Sequence, residues 1–144
     1  MPTSLSKPNT AFWIITVVAI FWNLVGVASF FAQIMMTPET LAALPEAERT
    51  LYENMPVWVL VAFAVAVFGG LGGSIALALK KAIATALFSA SLVGVIVQLI
   101  YNFVIANTME VYGASSIILP LVVLIIAIFL VWYSKDARKK GTIA

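Results

Sequence analysis

Among its 144 residues the chain has no cysteine and no histidine, and only 10% of them are charged. The first absence excludes disulfides, thiol nucleophiles and iron–sulfur ligation, and the second removes the ligand on which most zinc sites and histidine-held haem depend. Catalysis is left short of bases. The remaining carboxylates form no nucleophile or metal pattern, so the chain is expected to be no enzyme and to carry no cofactor. The third shortage is one of place: no Asp, Glu, Lys or Arg lies inside a long apolar run, where ion-coupled carriers usually keep one as a relay.

What remains is apolar. Hydrophobic residues make up 63% of the chain, and its mean hydropathy is +1.11. A soluble domain averages about 45–50% apolar and about 25% charged. A spanning helix needs roughly 20 apolar residues, and four stretches qualify or come close: 11–36, 56–79, 82–106 and 116–133. The expected fold is therefore all-α, a single membrane domain of four transmembrane helices with a short amphipathic helical loop on the outer side. Residues 1–10, with Pro2, Pro8 and one charge, bury nothing and are expected to be mobile. The run that follows is too long for the about 7–15 apolar residues of a signal peptide and reads as an uncleaved first span.

The second span carries the strongest packing signal. Ala62, Ala66, Gly70, Ser74 and Ala78 recur every fourth residue, and Gly69 and Gly73 widen the stripe. In lipid no hydrophobic effect drives helices together, so stripes without bulk gain contact by letting backbones approach. This span is expected to be central. The third offers Ala86, Ala90 and Gly94 to face it, and the fourth, almost all Ile, Leu, Val and Phe, is expected at the periphery with Ser115 or Ser116 as its cap.

Charge placement sets the topology. If four spans alternate, Lys7, Lys80, Lys81, Lys135, Arg138, Lys139 and Lys140 fall on one side and only Arg49 on the other, while Glu39, Glu46, Glu48, Glu53 and Glu110 lie opposite. The positive-inside rule then puts both termini in the cytoplasm and the acidic loop, 37–55, outside. That loop holds helix starts at Thr37-Pro38-Glu39 and Pro45-Glu46. The basic tail, 134–144, is a topology anchor, with contact of Arg138, Lys139 and Lys140 to anionic lipid headgroups as the alternative. The basic residues sit at membrane edges, which gives no face for nucleic acid.

Neutral polar residues do enter the spans. Trp22, Asn23 and Gln33 lie in the first, and Ser91, Gln98 and Asn102, at steps of seven and four, share one face of the third. Counted from their cytoplasmic ends, Asn23 comes level with Ser91 to Gly94, and Gln33 with Asn102. Buried amides are costly in lipid unless hydrogen-bonded, so mutual pairing across the two spans is the default. The alternative is a small cleft in which the amides and Trp22 touch a neutral hydroxylated solute.

The run Met36-Thr37-Pro38-Glu39-Thr40-Leu41-Ala42-Ala43-Leu44-Pro45-Glu46, with Tyr52, Met55-Pro56-Val57-Trp58, Ala66-Val67-Phe68-Gly69-Gly70 and the Trp22-Asn23 pair, resembles a family of small bacterial four-span inner-membrane proteins. These motifs define membership and no activity; members are often labelled sugar transporters. The resemblance implies four spans in a bacterial inner membrane. The sequence favours a non-enzymatic protein that acts by helix packing in the bilayer, as a homo-oligomer or a small subunit of another membrane complex, with a carrier of a neutral small solute such as a sugar as the alternative.

The charge asymmetry is testable because the chain has no native cysteine. In intact spheroplasts, Glu48→Cys should react with an impermeant maleimide and Lys81→Cys should react only after permeabilisation. The reverse pattern would overturn the topology.

Overall fold

The computed structural model describes residues 7–144, and within them every regular element is helical. Residues 1–6, the larger part of the segment expected to be mobile, lie outside the described residues. Helix α1 (Thr10–Ile34) starts where the Asn9 side chain accepts the Phe12 N–H at 2.9 Å. Two short helices follow, α2 (Pro38–Ala42) and α3 (Glu46–Glu53). The first begins as its sequence dictates, with the Thr37 hydroxyl accepting the Thr40 N–H, Pro38 at the first position and Glu39 in the first turn. Then come α4 (Val57–Ala78) and α5 (Ile83–Ile100), the latter continued by a π turn, Tyr101–Ile105. A further short helix, α6 (Thr108–Tyr112), and a 3₁₀ turn, Ala114–Ile117, lead into α7 (Ile118–Lys139). Four of these helices are long and apolar enough to cross a membrane: α1, α4, α5 with its π turn, and α7 with its 3₁₀ turn. The chain is an integral membrane bundle.

α4 packs between α1 and α5, and α5 packs between α4 and α7. Over an 18-residue stretch of each span, 44% of residues are buried in α4 and 11% in α7. That places α4 at the centre and leaves α7 mostly to lipid, as the small-residue stripe implies. The reason is steric. A β-carbon on Gly69 would stand 3.1 Å from the Leu87 carbonyl oxygen, one on Gly73 would stand 2.7 Å from the Phe88 ring, and one on Gly94 would stand 2.6 Å from the Ala62 oxygen. Backbones meet at Gly69 and Gly94 because nothing projects between them, and Gly73 leaves room for the Phe88 ring.

The details correct three expectations. Ala86 and Ala90 point outward, and the inward face of α5 is Ala84, Thr85, Phe88, Ser91, Gly94 and Val95, at heptad rather than four-residue spacing. Two helices crossing at a shallow angle stay in contact along a 3.5-residue repeat, so a strict four-residue ladder drifts off the seam. Ala78 drifts off in the same way: it is half-buried, while Ala76 and Leu77 beside it are buried. The fourth helix needs no serine cap, since the Ser116 hydroxyl donates to the Gly113 oxygen and the 3₁₀ turn runs straight into α7. Pro120 falls in the first turn, where a missing N–H costs nothing.

The basic tail is also more than an anchor. Helix α7 continues to Lys139, well past residue 133. It ends at Gly141 (φ 74°), with the Thr142 N–H donating to the Ala137 oxygen at 2.8 Å. The α4 end mirrors it: Lys80 is left-handed (φ 59°), and the Lys81 N–H donates to the Ala76 oxygen at 2.8 Å. The two ends are then stitched together, Ala82 N–H to Ala144 oxygen at 2.9 Å and Ala144 N–H to Lys80 oxygen at 3.1 Å. Ile143 is 1% exposed in a core with Phe12, Leu77, Ala84, Phe88 and Leu130. This core closes the basic end of the bundle.

Close backbone approach predicts a contrast between two glycines. Gly94→Ala, which meets the Ala62 oxygen and the Ala66 nitrogen, should lower stability by about 1–3 kcal/mol. Gly72→Ala, whose nearest new neighbour is the Leu87 methyl at 3.6 Å, should change it by less than about 0.5 kcal/mol. Thermal melts in detergent, followed by circular dichroism, compare the two, and equal shifts would contradict this account.

Candidate functional site

The inward face of α1 is spaced alternately by four and three: Phe12, Thr16, Ala19 and Asn23 are buried, and Gly26, Phe30 and Gln33 continue the row half-buried. Its polar members first satisfy themselves on their own helix. The Thr16 hydroxyl donates to the Phe12 oxygen at 2.7 Å, and the Asn23 amide donates to the Ala19 oxygen at 2.8 Å. Asn23 also reaches across to α4, donating to the Ser74 hydroxyl at 3.2 Å, while that hydroxyl donates to the Gly70 oxygen at 2.8 Å. The other end of the amide is equally constrained. Asn23 Oδ1 occupies the space a β-carbon of residue 70 would take, so only a glycine hydrogen fits between them.

Asn23 therefore does not pair with Ser91 or Gln98. At its level α4 stands between the first and third spans, and equal depth along two helices says nothing about which helix separates them. Ser91 turns the same way, donating to the Ala66 oxygen on α4 at 2.5 Å. Gln33 does not pair with Asn102 either; it donates to the Met55 thioether at 3.0 Å.

The seam residues nevertheless converge on one space. Trp22, Asn23, Ser91, Gln98 and Asn102 all line a cavity of about 360 Å³ bordered by the four spans. Gln33, Gln98 and Asn102 line a second one, of about 550 Å³, toward the acidic end. Phe63, Gln98, Asn102, Leu119 and Pro120 belong to both, so the two cavities adjoin along these residues as a cleft in two parts. Phe88 and Leu130 at its floor belong to the core that closes the basic end. At the mouth stand Tyr52, Thr108, Tyr112, Ser115 and Ser116. Burial raises the Tyr112 phenol above its ordinary value, with nearby Tyr52 and Glu48 adding to the effect, so it remains a neutral hydrogen-bond donor.

Gln98 and Asn102 differ from the other amides. Among the described residues neither carboxamide has a hydrogen-bond partner, and neither is fully buried. Asn102 stands in an irregularity of the chain, one turn after Gln98: the π turn puts the Ala106 N–H on the Tyr101 oxygen at 2.8 Å, and the Thr108 hydroxyl donates to the Asn102 backbone oxygen at 3.2 Å. Single π turns of this kind often occur at functional sites. Tyr101 is itself buried, edge-on to Trp58 with ring centroids 5.6 Å apart.

Sequence reasoning missed the apolar wall of this cleft, chiefly Leu119, Val123 and Ile126 of α7, because a run of aliphatic residues looks the same whether it meets lipid or a cavity. It also took Ser74 for a spacer when it is the partner of Asn23. The signal for the third-span side was present in two interleaved heptad rows, Ala84-Ser91-Gln98 and Phe88-Val95-Asn102. At the basic end, Lys140 pairs with Asp136 at 2.9 Å, and Arg138 and Lys139 are exposed on the last turn of α7.

The fold and site thus define a four-span membrane bundle with a neutral internal cleft, closed at the basic end and wider toward the acidic end. No family model matches the chain, and neither a curated protein nor a solved structure matches it.

The nesting of Asn23 against Gly70 makes a coupled pair. Gly70→Ala should displace the amide, break its bond to Ser74 and lower the melting temperature markedly, whereas Ser74→Ala should cost only about 0.6 kcal/mol. In Gly70→Ala/Asn23→Ala the collision is gone, so the double variant should melt above Gly70→Ala alone. Additive losses in detergent melts would refute the coupling.

Proposed function

We propose that this protein is a carrier that binds a small uncharged solute in the cleft between its four spans and reaches it from the acidic side. The observation that supports this most directly is the pair of unpartnered carboxamides, Gln98 and Asn102, exposed where the two cavities join. Within a membrane span a polar group without a partner is costly unless water or a ligand reaches it, so unpartnered amides lining a cleft fit a site whose ligand or water completes them. Both volumes fall in the roughly 300–1,000 Å³ range of small-molecule sites. Among the described residues neither cavity is lined by Asp, Glu, Lys or Arg, which favours a neutral ligand, since a charge there would be desolvated without a counter-charge.

In this reading the membrane is a bacterial inner membrane and the end carrying Lys80, Lys81 and the basic residues of α7 is cytoplasmic, as the positive-inside rule and the family resemblance suggest. Arg138 and Lys139 are placed to meet anionic headgroups there. Asn23 supports a second reading. Its bond to Ser74, like that of Ser91 to Ala66, joins helices and needs no ligand, which fits a protein that acts by packing, as a homo-oligomer or a subunit of a larger complex.

Trp22 is a reporter inside the cleft. With Trp13, Trp58 and Trp132 replaced by Phe, protein in nanodiscs should show a saturable fluorescence change with at least one uncharged hydroxylated compound among glycerol, glucose and hexyl β-glucoside. Gln98→Ala should weaken that binding about tenfold, the cost of roughly one hydrogen bond, without changing the melt. Absence of saturable binding by all three, or stability lost with binding untouched, would favour the packing reading.

A further inference from the structure

The cleft has a side opening as well as a mouth. α1 and α7 are the outer members of the row α1, α4, α5, α7, and they make no extended backbone contact with each other. They meet at the basic end, where the Phe12 and Tyr133 rings lie 6.4 Å apart. Above that point Val25 on α1 and Leu119 on α7 line the inner cavity, yet each keeps 64% of its surface exposed. A side chain that borders a cavity and is still mostly uncovered stands at its rim. Val25 lies nine residues below the outer end of α1, about 13 Å at the helical rise. That depth is inside the hydrocarbon layer of a bilayer, about 30 Å thick.

The two walls reached through this opening differ in kind. The α7 wall is aliphatic, with Leu119, Val123, Ile126 and Leu130. The facing wall holds Asn23, Gln98 and Asn102. A freely water-soluble solute has no use for a long aliphatic wall, and a hydrocarbon has no use for the free amides.

We infer that the cleft takes an uncharged, single-chain amphiphile sideways from the bilayer between α1 and α7. Its apolar chain lies along α7, and its neutral hydrogen-bonding head meets Gln98 and Asn102. The inference rests on the carrier reading and narrows its substrate class. The head is neutral because the lining offers no ion, and its hydroxyl or amide groups complete the two carboxamides. The wider space toward the acidic end leaves room for the head to reach the aqueous face, with Tyr52 and Tyr112 at the exit.

The probe is a monoacylglycerol with a diazirine in its acyl chain, added to the protein in phosphatidylcholine nanodiscs and photolysed, with labelled residues mapped by mass spectrometry. Labelling at Val25, Leu119 and Val123 should be displaced by excess unlabelled monoacylglycerol, whereas labelling at Ile125 and Ile128 should not. Displaceable labelling should fall at least fivefold in Leu119→Trp, which narrows the opening from an exposed position, and in Gln98→Ala, with unchanged melts. Equal displaceable labelling by a diazirine phosphatidic acid would overturn the neutral class. Disulfide cross-linking between two copies bearing Val25→Cys or Leu119→Cys, with no displaceable labelling, would mean that a second copy fills the opening. If glucose or glycerol binds in a Gln98-dependent way and the monoacylglycerol is not displaceable, the lateral route falls and the carrier reading stands. If none of these compounds binds, both fall.

Discussion

In a bilayer the hydrophobic effect places helices but does not press them together, so the bundle depends on how closely backbones can approach. Here that approach is concentrated on α4. Gly69 and Gly73 admit α5, Gly70 admits the Asn23 amide of α1, and Gly94 lets α5 rest on the Ala62 and Ala66 backbone. Each contact is short-range, and a single methyl group at Gly70 or Gly94 abolishes it. The two polar bridges, Asn23 to Ser74 and Ser91 to Ala66, form inside the same contact regions and are within reach because the backbones are close.

Tight packing of α4 against both neighbours has a consequence for the fourth span. The extended contact of α7 is with α5, and it closes toward α1 at the basic end, through Phe12, Tyr133, Leu130 and the returning Ile143. The bundle is therefore sealed at that end and spread at the other. A cleft is what remains when three helices are packed by small residues and a fourth, bulky and aliphatic, is held mainly at its foot. The stitching of Ala144 to Lys80 and Ala82 ties that foot to the α4–α5 hairpin.

Apart from Thr85, whose buried hydroxyl has no partner among the described residues, the polar residues within the membrane divide accordingly. Those on the α4 contacts, Thr16, Asn23, Ser74 and Ser91, are satisfied by backbone or by each other, whereas Gln98 and Asn102 lie beyond the contact and look into the cleft. The same residue type thus serves cohesion at one depth and faces an open space at another. On α5 the change falls between Ser91 and Gln98, just before the π turn at Tyr101–Ile105.

The existence and approximate bounds of the four spans, the segregation of charge to opposite ends, the start of α2 at Thr37 and the central place of the second span were all legible in the sequence. Each depends on a local or additive quantity: the transfer of some twenty side chains into lipid, a cap three residues long, or bulk missing from one face of a helix. The set of neutral polar residues was legible too, because any amide in an apolar run stands out. Their pairing was not. Whether Asn23 meets Ser74 or Gln98, whether Ala86 faces inward, whether Leu119 touches lipid or a cavity, and where Ile143 goes all depend on the rotation of each helix and on which neighbour it acquires. Those are relations between segments distant in the chain, and only the tertiary structure decided them.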